Sequence, residues 1–168
     1  GIGRLTTQKN FKLLLNFYIK LIKKYPEYKL YILGEGEDRI MLNNLIEKYQ
    51  LNAKAFLLGH QDNIFKYLKH ADCFILSSLW EDPGFVLVEA AAMNTNIISS
   101  NCPNGPEEII GNNDFLFTNG SSDDLLTKFQ IYKNKNVIDL VNQKIRNKKK
   151  IKFYTLFQHY KGLNSILN

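Results

Sequence analysis

Apolar residues follow two patterns along the chain, a helical spacing and short continuous runs, and the two alternate. The helical spacing predicts helices at about 11–25, 38–49, 62–70, 85–93, 106–110, 121–132, 137–150 and 154–167. Between them, apolar runs predict strands at about 28–33, 55–58, 73–76, 96–100 and 114–117. Strands that alternate with helices are typical of an α/β domain, so we expect a mainly parallel sheet covered by helices.

The same pattern gives two local predictions. In the second helix, four apolar residues are expected to contact the core: Ile40, Leu42, Leu45 and Ile46. Asp62 precedes the third helix and is expected to cap it, because a short acceptor side chain can bind the free N–H groups of a first turn.

The length of 168 residues fits one domain with one core, and 45% hydrophobic with 23% charged residues is typical of a globular protein. No apolar run is long enough to span a bilayer, and the first residues do not form a signal peptide. There is no initiator Met, so we expect the chain to begin inside a longer protein. Cys73 and Cys102 lack a metal-ligand spacing and are predicted to be reduced thiols of a cytoplasmic protein.

Charge is unevenly distributed within a net charge of +6. A basic stretch near the C-terminus could contact anionic lipid or nucleic acid, although a solvated helix face is the commoner role. Nucleic acid is the poorest fit, because acidic residues concentrate in the crevice that the strands form. The basic stretch consists of Lys144, Arg146, Lys148, Lys149, Lys150 and Lys152.

Gly34 and Gly36 follow a predicted strand and open a helix, as the glycines of a dinucleotide fingerprint do. Arg39 stands where the third glycine of that fingerprint is expected, and no acidic residue ends the next strand to hold a ribose. An NAD-dependent dehydrogenase is therefore poorly supported. A tight turn that needs a positive φ explains the two glycines equally well.

Glu81 and Glu89 are separated by seven residues that include a glycine loop and the start of a helix. Without a side chain, Gly84 lets an anion approach the free N–H groups of the helix N-terminus. Carboxylates accept charge-assisted hydrogen bonds from neighbouring hydroxyls, so Glu81 suits a sugar and Glu89 a ribose diol. Glu89 lies among apolar residues, which favours a functional role over an idle surface charge.

The second constellation lies near the N-terminus, where Gly3 precedes Arg4 and Lys9 follows near a helix start. A guanidinium fork and an ammonium would suit a diphosphate leaving group. Taken alone, both cations are ordinary surface residues.

Together these motifs resemble the GT-B retaining glycosyltransferases of family 4. The resemblance runs from Gly3 to about Asp124 and implies the C-terminal half of a GT-B fold: a Rossmann-like three-layer α/β/α domain with about six strands. It implies that the cations bind the donor diphosphate and that the first glutamate of the pair holds the sugar. The implied catalytic residues are Arg4, Lys9 and Glu81, and the implied donor-binding residues are Gly3, Gly34, Gly36, Gly59, His60, Gly84, Phe85, Val86 and Glu89.

The resemblance also implies the function. Residues 1–168, with C-terminal helices from about 121, would bind a nucleotide-diphosphate sugar for retaining hexosyl transfer, without metal or cofactor, to a glycan or lipid-linked acceptor. The acceptor would be held by an N-terminal domain that this chain lacks, so we expect the isolated domain to be inactive. The expected location is cytoplasmic, with peripheral contact of the basic stretch to the membrane. A non-catalytic nucleotide-sugar-binding or regulatory module is the alternative.

Overall fold

The computed structural model describes residues 1–82 and 84–154. Its helices are α1 (Phe11–Lys24), α2 (Arg39–Lys48), α3 (Phe65–His70), α4 (Phe85–Ala92), α5 (Pro106–Ile110), α6 (Ser122–Asn134) and α7 (Val137–Lys150), followed by a 3-10 turn (Ile151–Tyr154). Its strands are β1 (Leu30–Ile32), β2 (Ala55–Leu57), β3 (Phe74–Leu76), β4 (Ile97–Ser100) and β5 (Leu116–Phe117). The predicted α/β class is confirmed. Apart from its first residue, the helix predicted at 154–167 lies outside the described residues.

The strands form two parallel sheets, where the sequence predicts one sheet of about six strands. β1 pairs with β2, and β3, β4 and β5 pair in that order. Ile2 makes a parallel bridge to Leu33, so the N-terminal segment extends the edge of the first sheet. Within residues 1–82 and 84–154, no strand pairing connects the two sheets.

Helices cover the sheets in two groups. α1 packs against α2 and α6, and α6 also contacts β4 and β5. The second group contains α3, α4, α5 and α7, and its members α4 and α5 contact β4. Every residue of β4 is buried, as expected for a parallel strand with helices on both faces. This is the three-layer arrangement that the resemblance implies.

The sequence determines where α1 begins and which of its faces is buried. The side chain of Asn10, which adopts φ 49°, accepts a hydrogen bond from the N–H of Leu13 and caps the helix. Tyr18 is buried, and its hydroxyl donates to the backbone oxygens of Tyr28 and Lys54 at 2.8 and 3.0 Å. The predicted apolar face packs into the core, including Phe11, Leu14, Leu15 and Leu21.

Both local predictions need correction. Ile40 is 75% exposed, because the phase of α2 turns Leu42 into the core. Asp62 does not cap α3, which begins three residues later than predicted. Asn63 lies closer to that first turn, and its Oδ1 accepts a hydrogen bond of 3.3 Å from the N–H of Lys66.

Cys73 and Cys102 are free thiols, as predicted. In the part of the chain that the structure describes, no helix combines the length and the hydropathy needed to cross a bilayer.

A cavity of about 840 Å³ lies between the first strand of each sheet, and Gly1 lines its wall. The backbone nitrogen of Gly1 donates a hydrogen bond of 2.8 Å to the backbone oxygen of Tyr31, which holds this residue against β1.

Candidate functional site

The N-terminal segment, residues 1–10, crosses the carboxyl end of β1, and two glycines make room for it. A Cβ on Gly34 would collide with the backbone oxygen of Gly3, and a Cβ on Gly36 would collide with the backbone of Leu5. Leu5 also donates a backbone hydrogen bond of 2.9 Å into this turn. The two glycines are therefore required by the passage of one backbone against another. Their predicted contact with a donor stays a prediction.

The other end of the N-terminal segment is bound to residues that follow β3. The backbone oxygen of Gln8 accepts a hydrogen bond of 2.8 Å from the N–H of Leu79. The backbone oxygen of Lys9 accepts one of 2.7 Å from the hydroxyl of Ser77. The side-chain amide of Gln8 donates to the backbone oxygen of Trp80 at 3.0 Å. The segment thus connects the two sheets that share no strand pairing.

Lys9 and Glu81 meet at this connection. The Nζ of Lys9 lies 2.7 Å and 2.8 Å from the two carboxylate oxygens of Glu81, and the side chains are 17% and 3% exposed. The hydroxyl of Ser78 donates to Oε1 of the same carboxylate. Ser78 is held in turn, since its backbone oxygen accepts a hydrogen bond of 2.6 Å from the hydroxyl of Ser100. The structure therefore brings together two of the three predicted catalytic residues.

The start of α4 lies beside this ion pair. Gly84 adopts φ 77°, and a Cβ added there would lie 3.3 Å from Cγ of Glu81. Among the described residues, no side chain caps this helix end, and its first turn contains no acidic residue. Phe85 is 61% exposed and Val86 is half-buried. An uncapped helix N-terminus next to Glu81 leaves backbone N–H donors for an anion.

Glu89 and Arg4 complete the predicted set of charged residues. Glu89 lies one turn into α4 and is half-buried, and burial raises the pKa of its carboxyl. Arg4 is exposed, and the described residues contain no ion pair of its guanidinium. Neither side chain joins the Lys9–Glu81 pair, so their roles toward a donor stay predictions.

Gly59 adjoins the glycine turn, whereas His60 points away from it. The N–H of Gly34 donates to the backbone oxygen of Gly59 at 2.8 Å. The side chain of His60 is 79% exposed and lies 3.4 Å from a carboxylate oxygen of Asp62. The structure thus places Gly59 at the edge of the crevice and gives no buried contact to His60.

Arg39, at the position of the absent third glycine, has a structural partner. Its guanidinium lies 2.6 Å from Oε1 of Glu35 and 3.4 Å from the backbone oxygen of Leu57. These contacts tie the turn after β1 to β2, and they explain why a long basic side chain is accommodated there.

Sequence reasoning did not identify the residues that hold Lys9 and Glu81 in place. Ser77 and Ser78 bind them directly, and Asn119 donates a hydrogen bond of 2.8 Å to the backbone oxygen of Leu79. One signal was present: two consecutive hydroxyl residues end an apolar strand three residues before a glutamate.

The replacement of Lys9 by Met is expected to destabilise the chain by about 3–5 kcal/mol, because it leaves the buried carboxylate of Glu81 without a cation. The double variant Lys9→Met/Glu81→Gln should recover part of this loss, since neither charge remains. Denaturant unfolding of both single variants and the double variant measures the coupling.

Lys20→Met is the matched control, because it breaks the exposed pair of Lys20 and Asp123, whose charged atoms are 2.6 Å apart, against 2.7 Å in the Lys9–Glu81 pair. An exposed pair contributes at most about 1 kcal/mol. If Lys9→Met costs no more than the control, the Lys9–Glu81 pair does not hold the site together.

Comparison with known proteins agrees with this geometry. The model of the family "Glycosyl transferases group 1" matches residues 2–151. A glycosyltransferase of Methanocaldococcus jannaschii is 46% identical over 110 residues, which cover 66% of this chain and 27% of that protein. An N-acetylgalactosaminyltransferase of Campylobacter jejuni, which acts on a diphospho-undecaprenol-linked sugar, is 33% identical over 115 residues, 68% of this chain and 31% of that protein.

Solved structures show the same fold. The crystal structure of a TarM variant of S. aureus in complex with fondaparinux, alpha-GlcNAc-glycerol and UDP superposes with a TM-score of 0.86 at 24% identity, and the match covers 97% of this chain and 34% of that chain. This chain therefore spans between 27% and 34% of the length of the three proteins named here. Its parallel α/β architecture and the match over residues 2–151 establish that the chain belongs to the group 1 glycosyl transferases and forms a glycosyltransferase domain of the GT-B type.

Proposed function

We propose that this domain binds a nucleotide-diphosphate sugar and presents it for retaining transfer of a hexosyl unit. The observation that carries the proposal is the Lys9–Glu81 pair, a cation and a carboxylate that are both shielded from water at the carboxyl ends of parallel strands. Ligands of open parallel sheets bind at that edge. The pair offers one group for a phosphate and one for a sugar hydroxyl, at adjacent positions.

Donor binding would replace the contact between the two side chains. The ammonium of Lys9 would turn to the diphosphate, and Glu81 would accept hydrogen bonds from the sugar. Ser78 would keep its hydrogen bond to Glu81, so that the buried carboxylate is never without a partner. In the reaction, Lys9 would stabilise the charge that develops on the departing diphosphate.

Three further groups would contact the donor. Arg4 is exposed and can supply a bidentate fork to the diphosphate. The uncapped N–H groups at Phe85 and Val86 suit phosphate oxygens. Glu89 would bind the ribose diol. Because these cations and dipoles already oppose the phosphate charge, we propose that no metal is needed.

The acceptor would be a glycan or a lipid-linked sugar. The Campylobacter jejuni relative acts on an undecaprenol-linked sugar, which supports a membrane-borne acceptor. The free thiols suit a reducing compartment, so the proposed location is the cytoplasmic face of a membrane. A separate N-terminal domain would bind the acceptor, and residues 1–168 alone would transfer little sugar. The retaining stereochemistry, hexosyl specificity and assignment to family 4 rest on the motif resemblance.

Calorimetric titration of residues 1–168 with UDP, GDP, ADP and their sugar conjugates, in the presence of EDTA, tests donor binding. One nucleotide series should bind. Glu81→Gln should remove the extra affinity of the sugar conjugate over the free diphosphate, about tenfold for one charge-assisted contact. Glu89→Gln should weaken both ligands equally, since both contain the ribose.

Glu47→Gln, an exposed carboxylate on α2, is the control and should bind as the unchanged chain does. Unchanged affinities in both Glu81→Gln and Glu89→Gln would overturn the site assignment. Donor binding without transfer by the longer protein would favour a regulatory module over an enzyme.

A further inference from the structure

α7 packs on the domain through polar residues. Gln143 and Asn147 are 4% and 2% exposed, and the side-chain amide of Gln143 donates to Asn147 and to the backbone oxygen of Ile110. Asn112 donates a hydrogen bond of 3.1 Å back to Gln143. A surface helix normally buries its apolar stripe and exposes its polar residues. Here the buried residues of α7 are Gln143 and Asn147, and Leu140 is the one apolar residue of the helix that packs beside them.

Four of the five apolar residues of α7 lie on the opposite side, in solvent, whereas the fifth, Leu140, is half-buried against the core. Val137, Ile138, Val141 and Ile145 are 76%, 72%, 46% and 47% exposed. At 100° per residue they occupy one arc of the helix, and they extend over about 12 Å. We call these four residues the α7 stripe. β-branched side chains are stiff, so the stripe presents a fixed apolar surface.

Cations border the α7 stripe. α7 contains five Lys or Arg residues and a single acid, Asp139, in its first turn. Lys144 and Lys149 lie at the two edges of the stripe, by helical position, and Lys148 continues the stripe at its C-terminal end. Beyond the second edge, a surface cavity of about 620 Å³ is lined by Arg146, Lys149 and Lys150 together with backbone and amide groups of Gly111, Asn112 and Asn113. None of the described residues that line it is acidic.

We propose that α7 binds the surface of an anionic phospholipid bilayer, with the α7 stripe inserted among the acyl chains and a lipid phosphate in the cavity of Arg146, Lys149 and Lys150. A helix with one apolar face and a basic border lies in the membrane plane with its apolar side down. An anionic bilayer offers an apolar acyl layer for the α7 stripe and, a few ångströms above it, a layer of phosphates for the cations. The proposed function contributes only the expectation of a membrane-borne acceptor.

The geometry favours a bilayer over a protein or nucleic acid partner. The α7 stripe is one convex helix face, and none of its four residues lines either of the two cavities described above, whereas the energetically important contacts of a protein interface normally lie in pockets. Nucleic acid would use the cations but would leave four apolar side chains in water. An anionic bilayer binds the cations and also buries the four apolar side chains.

Vesicle flotation of residues 1–168 without nucleotide tests the proposal. The chain should float with vesicles of phosphatidylcholine and phosphatidylglycerol in equal parts, and much less with phosphatidylcholine alone. Val141→Asp/Ile145→Asp should abolish flotation, and Arg146→Gln/Lys149→Gln should weaken it by about fivefold for each charge. These residues are exposed, so the variants are expected to fold.

Matched controls carry the same chemical changes elsewhere. Ile40→Asp alters an isoleucine that is 75% exposed on α2, and Lys12→Gln/Lys23→Gln removes two exposed lysines of α1. Both controls should float as the unchanged chain does.

Three results would overturn the proposal: no flotation with either vesicle, equal loss in the controls, or a self-association by light scattering that Val141→Asp/Ile145→Asp abolishes in the absence of vesicle binding. Donor calorimetry on Val141→Asp/Ile145→Asp keeps the two proposals separate. Flotation without donor binding would count against the proposed function alone, and donor binding without flotation would count against the membrane surface alone.

Discussion

The contact of Lys9 with Glu81 joins two parts of the chain that share no strand pairing. Lys9 belongs to a segment that runs along β1, and Glu81 follows β3 in the other sheet. Because both groups are shielded from water, neither can lose the other without a large cost in free energy. Three other features follow from this contact: the position of the N-terminal segment, the need for glycine at Gly34 and Gly36, and the hydroxyls at the end of β3.

Much of the architecture could be predicted from periodicity alone, because buried strands and amphipathic helices leave clear patterns. The spacing of Glu81 and Glu89 led to the prediction of a donor site, and the contacts of these two residues with a donor stay a prediction. The pattern could not show which residues that lie far apart in the sequence contact each other in the fold. Lys9 lies 72 residues from Glu81 in sequence, and only the path of the backbone past Gly34 brings them together.

The remaining errors have the same origin, which is that local sequence does not fix the rotation of a helix about its axis. Ile40 was expected in the core, yet the turn after β1 sets the phase of α2 and leaves it in solvent. In α7 the sequence showed the lysines, but a helical wheel does not tell which side of the helix packs on the domain. Gln143 decides that, because it donates to the backbone oxygen of Ile110 in α5 and accepts from Asn112 in the loop that follows, while Asn147 accepts from Gln143.

The N-terminal segment is hydrogen-bonded to both sheets. The atoms that would bind a ligand are therefore also atoms that hold the two sheets together. Any ligand that takes the place of Glu81 beside Lys9 becomes part of the joint between the two sheets. By thermodynamic linkage, the free energy with which such a ligand prefers the joined arrangement is also the free energy by which it strengthens that joint. Occupancy of the crevice and the integrity of the domain are in this way a single equilibrium.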